Sequence, residues 1–162
     1  HMVEVKGWDL LDFVALFPLY SGVSFVFMLI SGLAVDRFGT ARLIPWILLP
    51  YVAGFYVLSE AESLAAAAVA MTLFGVTTGG MGTVPAAFWA EFYGTRHIGA
   101  IKAMAAALMV FGTAIGPGLT GAMIDLGFDF PSQMIAIGIY FVFAAAAVGF
   151  GVRSVRGDIS AI

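Results

Sequence analysis

Five apolar stretches, each long enough or nearly long enough to cross a bilayer, run through the 162-residue sequence and leave it few ways to fold. They cover about residues 13–34, 43–58, 64–89, 98–124 and 131–152. A helix needs about 20 apolar residues to span a hydrocarbon core about 30 Å thick. Lipid offers backbone groups no hydrogen-bond partners, so only helices and closed barrels are stable there, and these runs lack the alternation of barrel strands. The expected fold is all-α: a polytopic membrane protein with five transmembrane helices. Composition agrees, because 62% of the residues are hydrophobic and only 10% charged, against about 45–50% and about 25% in soluble domains. The second stretch is short and carries Pro45 and Pro50, which predicts a kinked span.

The few charges carry the topology. Threading five spans in order puts six of the seven Lys and Arg residues on one side: Arg37, Arg42, Arg96, Lys102, Arg153 and Arg156. The other side receives Lys6 with Glu4, Asp9, Asp12, Glu60, Glu62, Asp125 and Asp129. The positive-inside rule then predicts an amino end outside and a carboxyl end in the cytoplasm, in a cell (inner) membrane. His1-Met2 reads as the remnant of a tag, residues 3–12 as an extracytoplasmic segment, 13–156 as the helical domain and 157–162 as a cytoplasmic tail. The small net charge of -3 gives no reason to expect nucleic acid as a partner. With no cysteine in the chain, neither a disulfide framework nor a thiol nucleophile is available, and His97 lacks the companions of a metal site. No catalytic residue, metal or cofactor is expected.

Polar and small residues fall on defined faces. Tyr20, Ser21, Ser24, Met28 and Ser31 share one flank of the first span, either lining a water-filled solute path or hydrogen-bonding a neighbouring helix. Thr72, Gly75, Gly79 and Thr83 lie at spacings of three or four, which predicts a seam where two backbones approach closely. Thr78, Met81, Pro85 and Trp89 form a second face of the same span. In the fourth span, Gly112, Gly116, Pro117 and Gly121 predict a bendable helix with a close-approach face. Ionisable residues avoid the span centres, which speaks against a proton relay in this chain.

The tightest pattern follows the first span: Gly32-x-x-x-Asp36-Arg37-x-Gly39-x-x-Arg42. Glycines permit a tight turn there, and Asp and Arg can tie helix ends by charge-assisted hydrogen bonds. It resembles the G-x-x-x-D-R-x-G-x-x-R signature of the major facilitator superfamily. Gly112-x-x-x-Gly116-Pro117-x-x-x-Gly121 is similar to that superfamily's glycine-proline antiporter-type motif, and Glu91-Phe-Tyr-Gly-Thr-Arg96 to its acidic-to-basic link. The resemblance covers essentially the whole chain. It implies a partial half-bundle, the last five helices of one half without that half's first helix. Thr40 and Ala41, where the family often has Arg or Lys, point to the carboxyl-terminal half, helices eight to twelve; the glycine-proline motif is better known from the amino-terminal half.

The resemblance also implies roles. Asp36, Arg37 and the loop residues would be gating elements, with Arg37 paired to Glu91 and Arg96 joining the cluster. Tyr20, Ser21, Ser24, Thr78, Met81 and Thr113 become solute-path candidates. The function implied is part of a secondary active transporter that moves a small solute by alternating access, in a lipid bilayer, with the missing half and a coupling proton or ion as partners. A non-transporting assembly module that packs through glycine-rich faces is the alternative. An intramembrane enzyme would need convergent His, Asp or Ser groups at membrane depth, which the sequence lacks.

Overall fold

The computed structural model describes residues 7–159, and of residues 155–159 the backbone alone. His1 to Lys6 and the end of the tail, and with them the tag remnant and the charges of Glu4 and Lys6, lie outside the described residues. All regular structure among the described residues is helical: α1 (Leu10–Val14), α2 (Leu16–Phe38), α3 (Thr40–Leu43), α4 (Leu49–Ser59), α5 (Leu64–Tyr93), α6 (Ile98–Asp125) and α7 (Phe130–Ile159). Among the described residues, four helical stretches are long and apolar enough to cross a membrane: Leu10–Phe38, Leu64–Tyr93, Ile98–Asp125 and Phe130–Ser154.

The expected second span is broken. α4 has 11 residues, about 16 Å of helix, half of what a crossing needs. Pro45 cannot donate a hydrogen bond, and residues 44–48 form turns in which Trp46 N–H donates to the Leu43 carbonyl and Leu49 N–H to that of Trp46. Pro50 sits in the first turn of α4, where a missing donor costs nothing. α3, these turns and α4 together make one interrupted crossing of about 20 residues, the kinked span the prolines predict.

Helix ends follow local chemistry more than hydropathy. Helical structure begins at Leu10 rather than 13, because Asp9 caps α1 by accepting from Leu11 N–H at 2.8 Å. Ser63 caps α5 through Ala66 N–H at 3.2 Å. α2 continues past residue 34 to Phe38 and stops at Gly39, whose φ of 74° is open to glycine and strained for other residues. Gly94, φ 68°, ends α5 in the same way. The expected loop around Asp36 and Arg37 is therefore the last turn of α2, with one glycine as its hinge. α7 runs beyond residue 156 to Ile159.

Printed in three dimensions, the predicted seam is the contact between α2 and α5. A Cβ on Gly75 would lie 2.9 Å from the Tyr20 carbonyl oxygen and from Val23 Cβ. One on Gly79 would meet Met28 N and Phe27 Cβ at 2.8 Å and press into the Ser24 carbonyl oxygen. These backbones touch, and the hydroxyl of Thr83 bonds across to the Met28 carbonyl at 3.3 Å. Positions 20 and 28 of α2 meet 78 and 83 of α5, and Thr40, just beyond α2, meets 91, so α2 and α5 run parallel. α4 packs antiparallel between α5 and α7: Gly54 faces Phe74, and Gly138 and Gly149 of α7 face Phe55 and Pro45.

Tyr51, Phe55, Phe74 and Phe141 join α4, α5 and α7 in an aromatic cluster with centroids 4.8 to 5.9 Å apart, the spacing at which ring edges and faces attract. Fully buried Ala67, Ala70 and Val84 make α5 the centre of the bundle. α6 is its opposite: it packs sparsely against α5 and buries none of its residues.

This packing separates two kinds of glycine. Gly79→Ala is expected to destabilise by about 1–3 kcal/mol through overpacking. Gly116→Ala, with nothing within 4 Å of its Cβ, is expected to be neutral or to gain up to about 1 kcal/mol of helix propensity. Thermal unfolding of the two variants in detergent distinguishes them. A second prediction concerns Asp129, which caps α7 by accepting from Ser132 N–H at 3.0 Å. Hydrogen bonds from the Ser132 side chain and backbone hold its carboxyl below the ordinary value of 3.8. The cap's contribution is therefore fully present above about pH 4 and is lost as pH falls through the lowered folded-state value. Amide protection in the first turn of α7, taken relative to the intrinsic exchange rate at each pH, should fall as pH drops in the wild type and be low at every pH in Asp129→Ala.

Candidate functional site

Three hydroxyls meet where α2, α4 and α5 converge. Tyr20 donates to Thr78 Oγ1 at 3.0 Å, and the Tyr51 hydroxyl lies 2.9 Å from the same oxygen. The parallel register brings Tyr20 level with Thr78, and the break at residues 44–48 swings α4 in so that Tyr51 reaches them. Tyr20 and Tyr51, with Phe17, Phe55, Met71 and Phe74, line a cavity of about 360 Å³. The cluster has three hydroxyl hydrogens and two internal hydrogen bonds. Whichever way the Thr78–Tyr51 bond runs, one hydrogen remains for another acceptor, on Tyr51 or on Thr78. Beside it the fully buried hydroxyl of Thr77 makes no hydrogen bond, a cost of about 1–3 kcal/mol that the fold carries.

The other path candidates scatter. Ser24 hydrogen-bonds the Tyr20 carbonyl of its own helix at 2.9 Å, and Thr113 does the same to Val110 at 2.7 Å. Ser21 is exposed. Met81 lines a separate groove of about 480 Å³ with Pro85, Trp89, Ile47 and Val148. Of the six candidates, only Tyr20 and Thr78 bond to each other through their side chains. Tyr51 was missed, because a tyrosine just after Pro50 in a short apolar run carries no polar pattern of its own.

The expected gate looks different from its prediction. Glu91 Oε2 accepts from the Thr40 hydroxyl at 2.5 Å and from the Thr40 N–H at 3.3 Å. Thr40 is almost completely buried, and Glu91 thus ties the end of α5 to the start of α3. A carboxylate at a helix start satisfies an orphan N–H as a side-chain cap does. Arg37 lies instead over the ring of Phe38, 5.5 Å from its centroid. The Arg37–Glu91 pair is not formed in this structure. Asp36 and Arg96 are exposed near the same end of the bundle. Gly32, inside α2, faces the Thr83 methyl at 4.0 Å, while Gly112, Gly116 and Gly121 have no neighbour within 4 Å. The close-approach face expected on α6 meets no other part of the described chain, and that helix passes through Pro117 without interruption.

With the helices, the seam and the hydroxyl cluster in place, the family relation can be stated. The model of the Major Facilitator Superfamily matches residues 1–158, and the chain belongs to that superfamily. Membership gives a multi-pass membrane protein with a transporter-type function. No curated protein and no solved structure matches the chain.

The Thr40–Glu91 contact yields a direct prediction. Thr40→Val keeps the volume and removes the hydroxyl, leaving Glu91 one weaker backbone bond. A loss of about 1–2 kcal/mol is expected, with faster amide exchange over α3. Thr40→Ser, which keeps the donor, should retain most of the stability.

Proposed function

We propose that the chain forms part of a secondary active transporter that moves a small solute by alternating access, acting with the other half of the transporter and a coupling proton or ion. The observation that carries this reading is the Tyr20–Thr78–Tyr51 cluster, which retains one hydroxyl hydrogen and whose two tyrosines line a cavity at mid-span. A solute with a carbonyl, carboxylate or hydroxyl oxygen would take that hydrogen, and the aromatic walls would hold its apolar part. Rocking of one repeat against another around such a site is the usual motion of these folds. The border residues Asp36, Arg37, Glu91 and Arg96 form the gate: Glu91 leaves Thr40 and pairs with Arg37 when the cytoplasmic ends close. The amino end then lies outside and the carboxyl end in the cytoplasm, a reading supported by Arg37, Arg42, Arg96 and Arg153 sharing one end of the bundle. A non-transporting assembly module has no observation in its favour.

Uptake of a solute panel into vesicles carrying the intact protein, with and without a proton gradient, tests the proposal. Gradient-dependent uptake of an oxygen-bearing solute is expected, falling about 3- to 10-fold in Tyr51→Phe and Thr78→Val, the equivalent of one hydrogen bond. Uptake indifferent to both substitutions would remove the cluster from the solute path. For the gate, an Arg37→Ala and Glu91→Ala double-mutant cycle should show coupling in transport rate; strict additivity would exclude the pair.

A further inference from the structure

A second cavity, of about 750 Å³, opens between the α3–α4 break and the last turns of α7. Its floor is apolar: Pro45, Ala146 and Gly149, where a Cβ on Gly149 would lie 3.6 Å from Pro45. Trp46 and Phe150 form its walls and are 68% and 77% exposed, so the groove opens outward from the bundle. Arg42, in α3, and Arg153, at the penultimate position of the last membrane-crossing stretch, stand at its rim. No carboxylate lines it among the described residues.

We propose that this groove binds an anionic phospholipid, its phosphate held between the Arg42 and Arg153 guanidiniums and an acyl chain lying over Pro45, Ala146 and Gly149. Three features select that occupant. Guanidinium forks match phosphate oxygens in a bidentate way, and two of them complement a net negative headgroup better than a zwitterionic one, whose ammonium they repel. An exposed tryptophan at the end of a span is at home in the headgroup layer. The apolar floor runs from that layer toward the bilayer interior, where a free anion has nothing to contact but a lipid tail does. Basic clefts between helices at the membrane border bind acidic headgroups on the same principle. The lipid would bridge α7 to the broken span at the gap that Pro45 leaves in its helical hydrogen bonding. Arg42 then faces the lipid, apart from the contact of Glu91 with Thr40.

Native mass spectrometry of the full chain in detergent, titrated with equimolar phosphatidylglycerol and phosphatidylcholine, tests this. Two basic residues at a membrane surface predict that the first phosphatidylglycerol binds about thirtyfold more tightly than phosphatidylcholine. Arg42→Gln with Arg153→Gln should reduce the preference to a few-fold or less, and Arg153→Gln alone by about a factor of five. Arg42→Lys with Arg153→Lys should keep most of it, and reads the site even where the double Gln variant does not fold. Arg96→Gln should leave it unchanged. Equal binding of the two lipids, retention of the preference in the Gln variants, or an equal loss in Arg96→Gln would overturn the proposal. Displacement of phosphatidylglycerol by millimolar inorganic phosphate would also overturn it, since the site would then take a free anion.

Discussion

Everything else in the structure hangs on the contact of α2 with α5. In lipid the hydrophobic effect gives helices no reason to associate, so packing and a few hydrogen bonds must do it. Gly75 and Gly79 let the two backbones touch, and any side chain there would push them apart. Once the helices are parallel and in register, the cross-contacts at 20 with 78, 28 with 83 and 40 with 91 follow without further adjustment. The hydroxyl cluster at mid-span and the Thr40–Glu91 tie at the end are thus two consequences of one seam. α4 and α7 then complete the buried side of α5 through the aromatic cluster, while α6 stays peripheral.

Much of this was legible in the amino-acid order. Helix type and four of the five expected spans follow from hydropathy, because lipid leaves a long apolar run no alternative to helix. The small-residue spacing at 72, 75, 79 and 83 correctly marks a packing seam. Other features depend on forces that hydropathy does not register. α2 reaches Phe38 because nothing before Gly39 breaks it; charged Asp36 and Arg37 are as compatible with a last helical turn as with a loop. Pro45 shortens α4 by removing a donor, and the unbroken apolar run around it hides the cost. The border charges show a tertiary partner redirecting a carboxylate. Opposite charges at 37 and 91 suggest an ion pair, yet Glu91 takes a buried hydroxyl and the N–H that opens α3, and Arg37 rests on Phe38. Tyr51 could be found only from the tertiary register, its partner being 27 residues away.

The two ends of the bundle differ in charge. Asp9, Asp12, Glu60, Glu62, Asp125 and Asp129 mark the end where α2, α5 and α7 begin, and the arginines mark the end where they finish. The broken span runs to the arginine end, where its exposed tryptophan and the proline gap create a groove that intact helix would have filled. The glycine seam brings two backbones into contact, whereas Gly39 and the proline break interrupt the helices beside it.

The α2–α5 register is open to one direct measurement, since the chain has no native cysteine. A Cβ on Gly82 would lie 3.5 Å from Met28 Sδ and 3.6 Å from its Cγ, within reach of the geometry a disulfide requires. Met28→Cys with Gly82→Cys should cross-link rapidly under mild oxidation in native membranes, and Met28→Cys with Gly116→Cys should not. A linked 28/116 pair with an unlinked 28/82 pair would contradict the seam, and with it the hydroxyl cluster that rests on it.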